Sequence, residues 1–541
     1  RRLKVILSRY TPEKAEQASG VRAQDIVRIA REFAETKPAT VISMRGISSH
    51  LNGVYAERAI MLLPAITGNI DVLGGYCVPR MARLGEPSPI PPEPTRTSGV
   101  ARREDLTLAV HTISQEVFQL IKQKKQRVGV YMTYVHNPAY SGPEADLVES
   151  VLKDESLVPF FVSVDAFLSE TTSLADLILP DALYLERWDP ETQPALELVP
   201  YVGLRQPVLP PMGEARPFRE VAYDLAHRIG GGMEKYFQYG SPENYIKWAI
   251  SDIEGLKTVG GLEYLKKYGV WTDRTAKPLY KLHEQELDPS ELAGSRILRD
   301  GVIVKKDPET GVEAPIGVRV KGKSRRGFPT PSRKFEAYSS RLLNARTLSR
   351  SNHHKEVYTI GSRIGRHFPH PYYEPIWEHS HLEPNEFILV TYKPNVQTNS
   401  STANCKWLSE IHHSNPMWVH EDSARALGIR NGDFVEVSSK VGKIVTQALV
   451  MQGIHPRVVA ISTGVGRWAY GRIAQGKPFQ SADPDTRHIW WEEEGKGVHP
   501  NPIIPVSTDP IGGGQAFMDT VVALRPLRRG DLRQEFRREG W

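Results

Sequence analysis

Two polar segments follow apolar runs whose composition predicts buried strands. Residues 128–132 lead into His136-Asn137-Pro138, and residues 160–164 lead into Asp165-Ala166-Phe167. In open α/β sheets, ligands bind in the crevice beyond the carboxyl ends of parallel strands. A carboxylate and an amide at that edge can exchange hydrogen bonds with a polar ligand. We therefore expect Asn137 and Asp165 to lie beside a ligand-binding crevice.

Other residue types that often carry chemistry are not arranged for it. Cys77 and Cys405, the two cysteines of the chain, lie far apart and can form neither a zinc site nor an iron–sulfur cluster. The six histidines between residues 353 and 381 match no zinc spacing, and the proline and aromatic residues around them indicate an interdomain linker. No Gly-x-Gly-x-x-Gly follows a predicted strand, which argues against a nicotinamide dehydrogenase.

The elements around the two polar segments alternate between helix and strand. Thr11 followed by Pro12 is typical of a helix start, and the apolar run 39–44 predicts a buried strand. A helix is predicted near 145–152, between the strands at 128–132 and 160–164. This alternation predicts parallel sheets covered by helices.

From residue 386 onward the pattern is one of short strands. Apolar runs at 387–390, 434–437 and 443–446 predict strands, and a short helix at 421–427 ends at Gly428. We interpret this region as a β-barrel that carries one or two helices.

The chain is therefore divided by prediction into five parts. They are an α/β domain at 1–125, a second α/β domain with insertions and peripheral helices at 126–350, a linker at 351–384, a barrel at 385–525 and a basic tail at 526–541.

Composition excludes several classes of protein. With 541 residues, 40% hydrophobic and 24% charged, the chain resembles ordinary soluble proteins, and it lacks a run of about 18 apolar residues that could span a membrane. The net charge of +6 is small for this length, and the basic tail also holds acidic residues. Nucleic acid is therefore not an expected partner.

Four groups of motifs, in this order along the chain, together resemble the molybdopterin oxidoreductase superfamily. They include Arg45-Gly46 with His50 and Asn52-Gly53, then Asn137-Pro138 with the stretch 165–171 and Ala175-Asp176-Leu177-Ile178-Leu179-Pro180, then Thr330-Pro331-Ser332-Arg333-Lys334, and finally Ser414-Asn415-Pro416 with Gly497-Val498-His499-Pro500-Asn501. The resemblance implies two Rossmann-like α/β domains with parallel sheets, followed by a six-stranded double-psi β-barrel. It also implies a bis-molybdopterin guanine dinucleotide cofactor with molybdenum or tungsten.

By this resemblance, a set of residues is expected to bind the cofactor, with Asp165 accepting from guanine and residues 397–404 wrapping a pterin. The set is Gly46, Asn137, Pro138, Asp165, Ser169, Glu170, Thr171, Asp176, Lys334, Thr391, Gln397, Thr402, Asn415, Asn501 and Gln515. Simpler roles stay open for some of them. Asp165 could cap a helix, Asp176 and the three carboxy-terminal amides could form turns, and Lys334 could be a surface charge.

Arg45 and His50 follow the first predicted strand, and the resemblance places them on the metal side as candidate catalytic residues. An arginine there could bind an oxyanion with two hydrogen bonds, or it could pair with a carboxylate or contact the pterin. No protein ligand to the metal is assigned. The cysteine cluster that relatives use for a [4Fe–4S] centre is absent, so it is expected in an amino-terminal region missing from this chain, unless the chain is a degenerate relative.

The carboxy-terminal block from Trp490-Trp491 to Met518-Asp519 looks most like enzymes of polysulfide, thiosulfate and sulfite. The resemblance implies a ferredoxin-like iron–sulfur partner and an integral membrane quinone-binding subunit that anchors this prokaryotic protein on an undetermined face of the membrane. Arsenate, tetrathionate and dimethyl sulfoxide reductases stay open. So does a cofactor-free structural relative within a respiratory complex.

Overall fold

A computed structural model describes residues 2–85, 89, 114–195, 198–277, 279–308, 311–344, 368–373, 375–399, 401–471, 488–489, 497–528 and 531. The helices are α1 Arg2–Leu7, α2 Pro12–Ser19, α3 Ala23–Glu35, α4 Arg45–Ser48, α5 Gly53–Ile66, α6 Val117–Lys122, α7 Pro138–Ser141, α8 Ala145–Leu152, α9 Phe218–Ile229, α10 Pro242–Ala249, α11 Glu254–Thr258, α12 Leu262–Tyr268, α13 Pro289–Leu292, α14 Ser340–Asn344, α15 Lys406–Ile411 and α16 Glu421–Leu427. The strands are β1 Tyr131–Tyr134, β2 Phe161–Asp165, β3 Leu177–Pro180, β4 Asp189–Glu191, β5 Tyr201–Arg205, β6 Val270–Thr272, β7 Ser295–Ile297, β8 Val302–Lys306, β9 Glu313–Val320, β10 Lys323–Arg325, β11 Glu386–Tyr392, β12 Met417–His420, β13 Phe434–Ser438, β14 Lys443–Met451, β15 Val458–Ser462 and β16 Thr520–Pro526.

The first part of the chain, residues 2–85, is helical. Helix α2 begins after Thr11, whose side chain accepts from the backbone N–H of Lys14, as the sequence predicts. The prediction of a buried strand at 39–44 was wrong for this structure, because the segment is irregular and 93% of Ile42 is exposed. A strand requires a neighbour for its backbone hydrogen bonds, and the described residues offer none to this segment.

A three-stranded parallel sheet, in the order β1-β2-β3, forms the centre of the next part. Met132 pairs with Val162, and Val162 pairs with Leu177, so the carboxyl ends of the three strands lie at one edge. Helices α6 and α8 cover the sheet through a core that includes Ile121, Val151 and Phe161. The parallel sheet predicted from the apolar runs 128–132 and 160–164 is confirmed. The described residues of the predicted first α/β domain, 1–125, contain no sheet.

Two antiparallel sheets follow the parallel one. The first is three-stranded in the order β4-β5-β6, and the second is four-stranded in the order β10-β9-β8-β7. The sequence indicated only insertions and peripheral helices here, because glycines and charged residues such as Lys305 and Arg319 hide the alternation of the strands.

The carboxy-terminal part is a closed barrel of six strands in the order β11-β15-β12-β14-β13-β16. Its interior is filled by alternating apolar residues, among which Leu389, Val435 and Val459 have no exposed surface. Helix α16 ends at Gly428, which adopts φ of 69°. The predicted fold class, α/β followed by a six-stranded barrel, is confirmed, and the predicted domain boundaries stay predictions.

Three features fall wholly or partly outside this description. Residues 351–367 and 374 of the predicted linker, residues 529–530 and 532–541 of the basic tail, and Trp490-Trp491 are not among the described residues. Within the described part, no helix has the length and apolar character needed to cross a bilayer.

Candidate functional site

The crevice at the carboxyl edge of the parallel sheet holds the two residues that the sequence placed there. Asp165 ends β2, lies half-buried, and accepts a hydrogen bond from the backbone N–H of Phe167 at 3.2 Å. Burial raises the pKa of the Asp165 carboxyl group, against the hydrogen bonds from its own loop. Asn137 lies just before helix α7, beyond the end of the neighbouring strand β1.

Tyr470, in the loop after barrel strand β15, connects this crevice with the segment 397–404. Its ring meets that of Phe167 edge-on at 5.6 Å, and its hydroxyl donates to the carbonyl of Ser401 at 3.0 Å. Burial raises the pKa of Tyr470, and the Asp165 carboxylate contributes to the same shift. The loop after Asp165 and the segment 397–404 therefore meet at Tyr470. Such a meeting is needed if both segments are to bind one cofactor.

Glu170 joins the α/β part to the barrel and is fully buried. Its carboxylate lies 3.3 Å from the guanidinium of Arg467, whose side chain is 1% exposed. It also accepts from the backbone N–H groups of Ala469 and Tyr470 at 3.2 and 3.1 Å, and from the amide of Asn137 at 2.7 Å. Both oxygens of the carboxylate thus accept hydrogen bonds from the protein itself. From these contacts we infer that Glu170 holds the α/β part and the barrel together.

A second contact between the domains is built on Tyr140 of helix α7. Its ring stacks on the imidazole of His499 at 4.1 Å, with 6° between the ring planes, and lies beneath the guanidinium of Arg467 at 3.8 Å. The amide of Asn501 donates to the Tyr140 carbonyl at 2.7 Å. Burial raises the pKa of Tyr140 to about 12 and lowers the pKa of His499 to about 4, so both rings are neutral near pH 7.

The carboxy-terminal amides bind the protein's own backbone. Asn415 donates to the carbonyls of Ser462 and Val498 at 2.7 and 2.8 Å, and it accepts from the Val498 N–H at 2.7 Å. Because an amide has two N–H groups, the donors of Asn415 are fully used. Gln515 similarly donates to the carbonyl of Pro505 at 2.8 Å. Their cofactor-binding role stays a prediction, and their observed role is to hold loops in place.

Four other predicted residues lie near the crevice. Pro138 begins helix α7, and the hydroxyl of Thr171 accepts from the backbone N–H of Ala139 at 2.9 Å. Ser169 is buried, and its hydroxyl lies 2.8 Å from that of Thr172. Thr391 is buried on β11, shortly before the segment 397–404.

Three predicted residues are not brought to the crevice by their contacts. Asp176 accepts from the backbone N–H of Phe161 at 2.7 Å, which places it at the amino-terminal edge of the sheet, opposite Asp165. Lys334 donates to the carbonyl of Asp300 at 3.1 Å, beside the four-stranded antiparallel sheet. Gly46 lies in the short helix α4.

The segment 397–404 has open binding capacity as well as internal bonds. The hydroxyl of Thr402 donates to the carbonyl oxygen of Gln397 at 2.5 Å. The side-chain oxygen of Asn404 is buried and has no hydrogen-bond partner among the described residues. Buried acceptors without a partner are rare, so an N–H group from a ligand is the expected partner. Together with the Asp165 carboxylate, this acceptor fits a ligand that presents several N–H groups, as guanine and pterin do.

The candidate catalytic residues lie on the helical part. His50 lies 2.5 Å from a carboxylate oxygen of the buried Asp519, and this hydrogen bond raises the pKa of His50. His379 lies 3.7 Å from the same oxygen, and burial lowers its pKa. Arg45 is exposed on α4 and forms no ion pair among the described residues. Within the described part of the chain, its guanidinium is therefore available to an anion.

Sequence reasoning missed Arg467, Tyr470 and Glu144. The missed signal for the first two is the pair of glycines, Gly466 and Gly471, around aromatic and cationic residues shortly after the apolar run 458–461. Glu144 accepts from the N–H of Val506 at 2.9 Å and binds Gln119, but nothing in its local sequence marks it.

Comparisons with known proteins agree with the fold. Residues 22–228 match the family model described as "Molybdopterin oxidoreductase", and residues 387–521 match the "Molydopterin dinucleotide binding domain". The crevice-bearing sheet falls within the first match, and the second match covers most of the barrel.

Among curated proteins, the chain is similar to the molybdopterin-containing component of a thiosulfate reductase from Salmonella typhimurium, with 26% identity over 93% of the chain and 60% of the relative. A sulfite dehydrogenase component from Allochromatium vinosum is 25% identical, over 98% of the chain and 62% of the relative. The molybdopterin-containing component of an arsenate respiratory reductase from Chrysiogenes arsenatis is 24% identical, over 94% of the chain and 60% of the relative. The chain thus spans about 60% of the length of these relatives.

Among solved structures, acetylene hydratase from Pelobacter acetylenicus has a similar fold. The superposition has a TM-score of 0.62 at 19% identity and covers 97% of this chain and 66% of the other.

We predict that Glu170→Gln destabilises the junction between the domains. The substitution leaves the Arg467 guanidinium buried without a counter-charge, which typically costs about 3–5 kcal/mol. Thermal and urea unfolding should show this loss. Glu313→Gln, at the exposed pair with Arg296, is the matched control and should change stability far less, because solvent screens an exposed pair. Equal losses in the two variants would show that Glu170 does not hold the junction.

We also predict a pH-dependent contribution from His50. Because the folded chain raises the pKa of His50, its stabilisation is fully present below the unfolded value of about 6.5 and is lost as pH rises through the folded value. His50→Gln should therefore lower the melting temperature most at pH 5 to 6, and progressively less above that range. The exposed His488 offers a control in His488→Gln. A pH-independent loss would contradict this electrostatic account.

Proposed function

Since the chain belongs to the molybdopterin oxidoreductase family, we propose that it is the larger, carboxy-terminal share of a catalytic subunit that holds bis-molybdopterin guanine dinucleotide. The observation that carries this proposal is the meeting of the Asp165 loop and the segment 397–404 at Tyr470. Two domains that separately supply polar loops can enclose one long dinucleotide only where those loops converge.

Two side chains of the crevice with unused acceptor capacity bind different parts of the cofactor. The Asp165 carboxylate accepts hydrogen bonds from the N–H edge of guanine, and the side-chain oxygen of Asn404 accepts from an N–H group of the pterin. Glu170 and Arg467 keep the two binding loops in register. When it is bound, the metal centre supplies the two-electron redox chemistry, and the protein supplies orientation and charge.

For the reaction, we propose two-electron redox of an inorganic sulfur compound such as polysulfide, thiosulfate or sulfite. The support is the resemblance of the carboxy-terminal block to enzymes of these compounds, and the similarity to components of a thiosulfate reductase and a sulfite dehydrogenase. Arg45, an exposed cation without an ion pair in the described structure, is suited to draw such anions towards the metal side.

For the partners, we propose an iron–sulfur subunit of the ferredoxin type and a membrane subunit that binds quinone. Because two-electron chemistry at the metal needs an electron route, a subunit with iron–sulfur clusters would connect the reaction to quinone. The protein would then be held at a prokaryotic membrane through its partners.

Asp165→Asn tests the cofactor site. The amide replaces an acceptor oxygen with an N–H group that faces the N–H edge of guanine. Loss of a charge-assisted hydrogen bond costs about 1.5–3 kcal/mol, which weakens binding by about 10- to 100-fold. Calorimetry with GDP as the probe should show this loss in the cofactor-free protein. The control is Asp176→Asn, at the opposite edge of the sheet. Elemental analysis should find molybdenum or tungsten together with pterin in the complete protein. A complete protein without either would be a structural relative.

Turnover by the complete protein tests the substrate class. The assay uses reduced viologen as electron donor, or an oxidising dye when sulfite is the substrate. A sulfur anion should be converted with at least about tenfold higher kcat/KM than arsenate or dimethyl sulfoxide. This ratio corresponds to about 1.4 kcal/mol in transition-state stabilisation. Arg45→Gln should lower kcat/KM for the anion and leave that for neutral dimethyl sulfoxide unchanged. A preference for arsenate or dimethyl sulfoxide would reject the sulfur proposal.

A further inference from the structure

Two imidazoles share one buried carboxylate where the helical part meets the barrel. Asp519 precedes strand β16, and its side chain is 3% exposed. His50 Nδ1 lies 2.5 Å from one oxygen of this carboxylate, and His379 Nε2 lies 3.7 Å from the same oxygen. The second oxygen accepts from the backbone N–H of Leu51 at 2.6 Å. The histidines approach Asp519 from different elements, because His50 lies between α4 and α5 and His379 lies on the turn Glu378–Ser380.

The two imidazoles differ in their tendency to hold a proton. The hydrogen bond to Asp519 raises the pKa of His50, and the backbone of Gly46 adds to this effect. Burial lowers the pKa of His379, the Asp519 carboxylate opposes this shift, and the charge of His50 adds to it. The Nε2 atom of His379 is buried and has no hydrogen-bond partner among the described residues. In the tautomer that carries its proton on Nδ1, this atom can accept a proton.

Both imidazoles line a cavity of about 660 Å³. Tyr373 and Ser380 are exposed on its wall, so water reaches it. Within the described part of the chain, no group of three metal-ligating side chains is arranged to hold a cation. The cluster of His50, Asp519 and His379 therefore offers proton chemistry rather than metal binding.

The charged groups around this cluster have partners of their own. Glu378 lies 3.6 Å from Lys440. Arg457 donates to the carbonyls of Leu382 and Glu383, and His455 Nδ1 accepts from the backbone N–H of Arg457. Among the described residues, no other basic side chain forms an ion pair with the Asp519 carboxylate than the two histidines. The proton equilibrium of the cluster therefore depends mainly on its own three side chains.

We propose that His379, Asp519 and His50 form a proton relay between this cavity and the metal side of the site. The inference rests on the proposed function, in which Arg45 and His50 lie on the metal side. The hydrogen-bonding atoms of His50 face Asp519 and the backbone of Gly46, so its exchange with the cavity runs through the carboxylate. A side-chain rotation that shortens the 3.7 Å separation to a hydrogen bond of about 2.9 Å completes the path.

The proposed reaction consumes the protons that such a relay supplies. Reductive cleavage of the S–S bond of thiosulfate takes up two electrons, from the iron–sulfur partner, and two protons, and it yields hydrogensulfide and hydrogensulfite. His50 gives its proton to the reacting anion and regains one from His379 through Asp519. His379 is then protonated again from the water of the cavity.

Carbethoxylation by diethyl pyrocarbonate tests the coupling of the two imidazoles without turnover. The reagent attacks neutral imidazole, so its rate against pH, read by peptide mass spectrometry in the complete protein, reports the pKa of each ring. His50→Gln removes the charge that lowers the pKa of His379, so labelling of His379 at pH 5 relative to pH 8 should fall by about threefold or more. The exposed His227 is the internal reference. An unchanged ratio at His379 would overturn the relay.

Turnover of thiosulfate by the complete protein tests the transfer itself. His379→Gly should lower kcat by about tenfold or more and leave KM within about twofold, because it removes a proton donor and no substrate contact. Added imidazole should restore kcat, which a merely structural role would not allow. His379→Gln fills the space without carrying a proton, and it should show the loss without the rescue. His381→Gln is the control, because His381 lies beside the same turn and stacks on Trp377.

An unchanged kcat in His379→Gly, or a loss that imidazole does not restore, would overturn the relay. Its failure is distinguishable from that of the proposed function. Reduction of arsenate or dimethyl sulfoxide also takes up two protons with two electrons, so a different substrate would leave the dependence on His379 in place. A protein that reduces thiosulfate without this dependence would reject the relay alone.

Discussion

Full burial of a carboxylate removes the water that solvates its charge. Such burial is stable only when an opposite charge and hydrogen bonds compensate for this desolvation. Glu170 meets this condition with a guanidinium, two backbone N–H groups and one side-chain amide. Its donors come from both the α/β part and the barrel, so the compensation exists only when the two parts are docked. The burial of one charge thereby fixes the relative position of two domains.

This constraint reaches the crevice through short connections. Asp165 lies shortly before Glu170, and Tyr470 both donates to Glu170 and contacts the segment 397–404 through Ser401. The separation between the Asp165 loop and the segment 397–404 is therefore set within the protein by these contacts.

Some polar side chains of the site already have hydrogen-bond partners within the protein, whereas others retain unused hydrogen-bonding capacity. The donors of Asn415 are used by the backbone, and the carboxylate of Glu170 is surrounded by donors. A ligand can use the donors of Asn415 only if an internal bond is given up, so we interpret Asn415 and Glu170 as positioning residues. Asp165 and Asn404 retain acceptor capacity, and they are the groups that we propose for recognition.

The sequence predicted those features that depend on local pattern. The barrel strands β11, β13 and β14, helix α16 with its end at Gly428 and the edge position of Asp165 all follow from periodicity and turn chemistry within short windows. The contact of Glu170 with Arg467 joins residues far apart in the chain, and neither has a local context that reveals the other. The antiparallel strands β7 to β10 were missed because their charged residues obscure the alternation.

The error at 39–44 has a different origin. The segment has the composition of a strand, but the described residues provide no neighbouring strand for it. A strand is defined by its neighbour, whereas a helix closes its own hydrogen bonds. The helices around this segment therefore form while the strand does not. Since Asp519 binds both His50 and the N–H of Leu51, the helical part is nevertheless tied to the barrel.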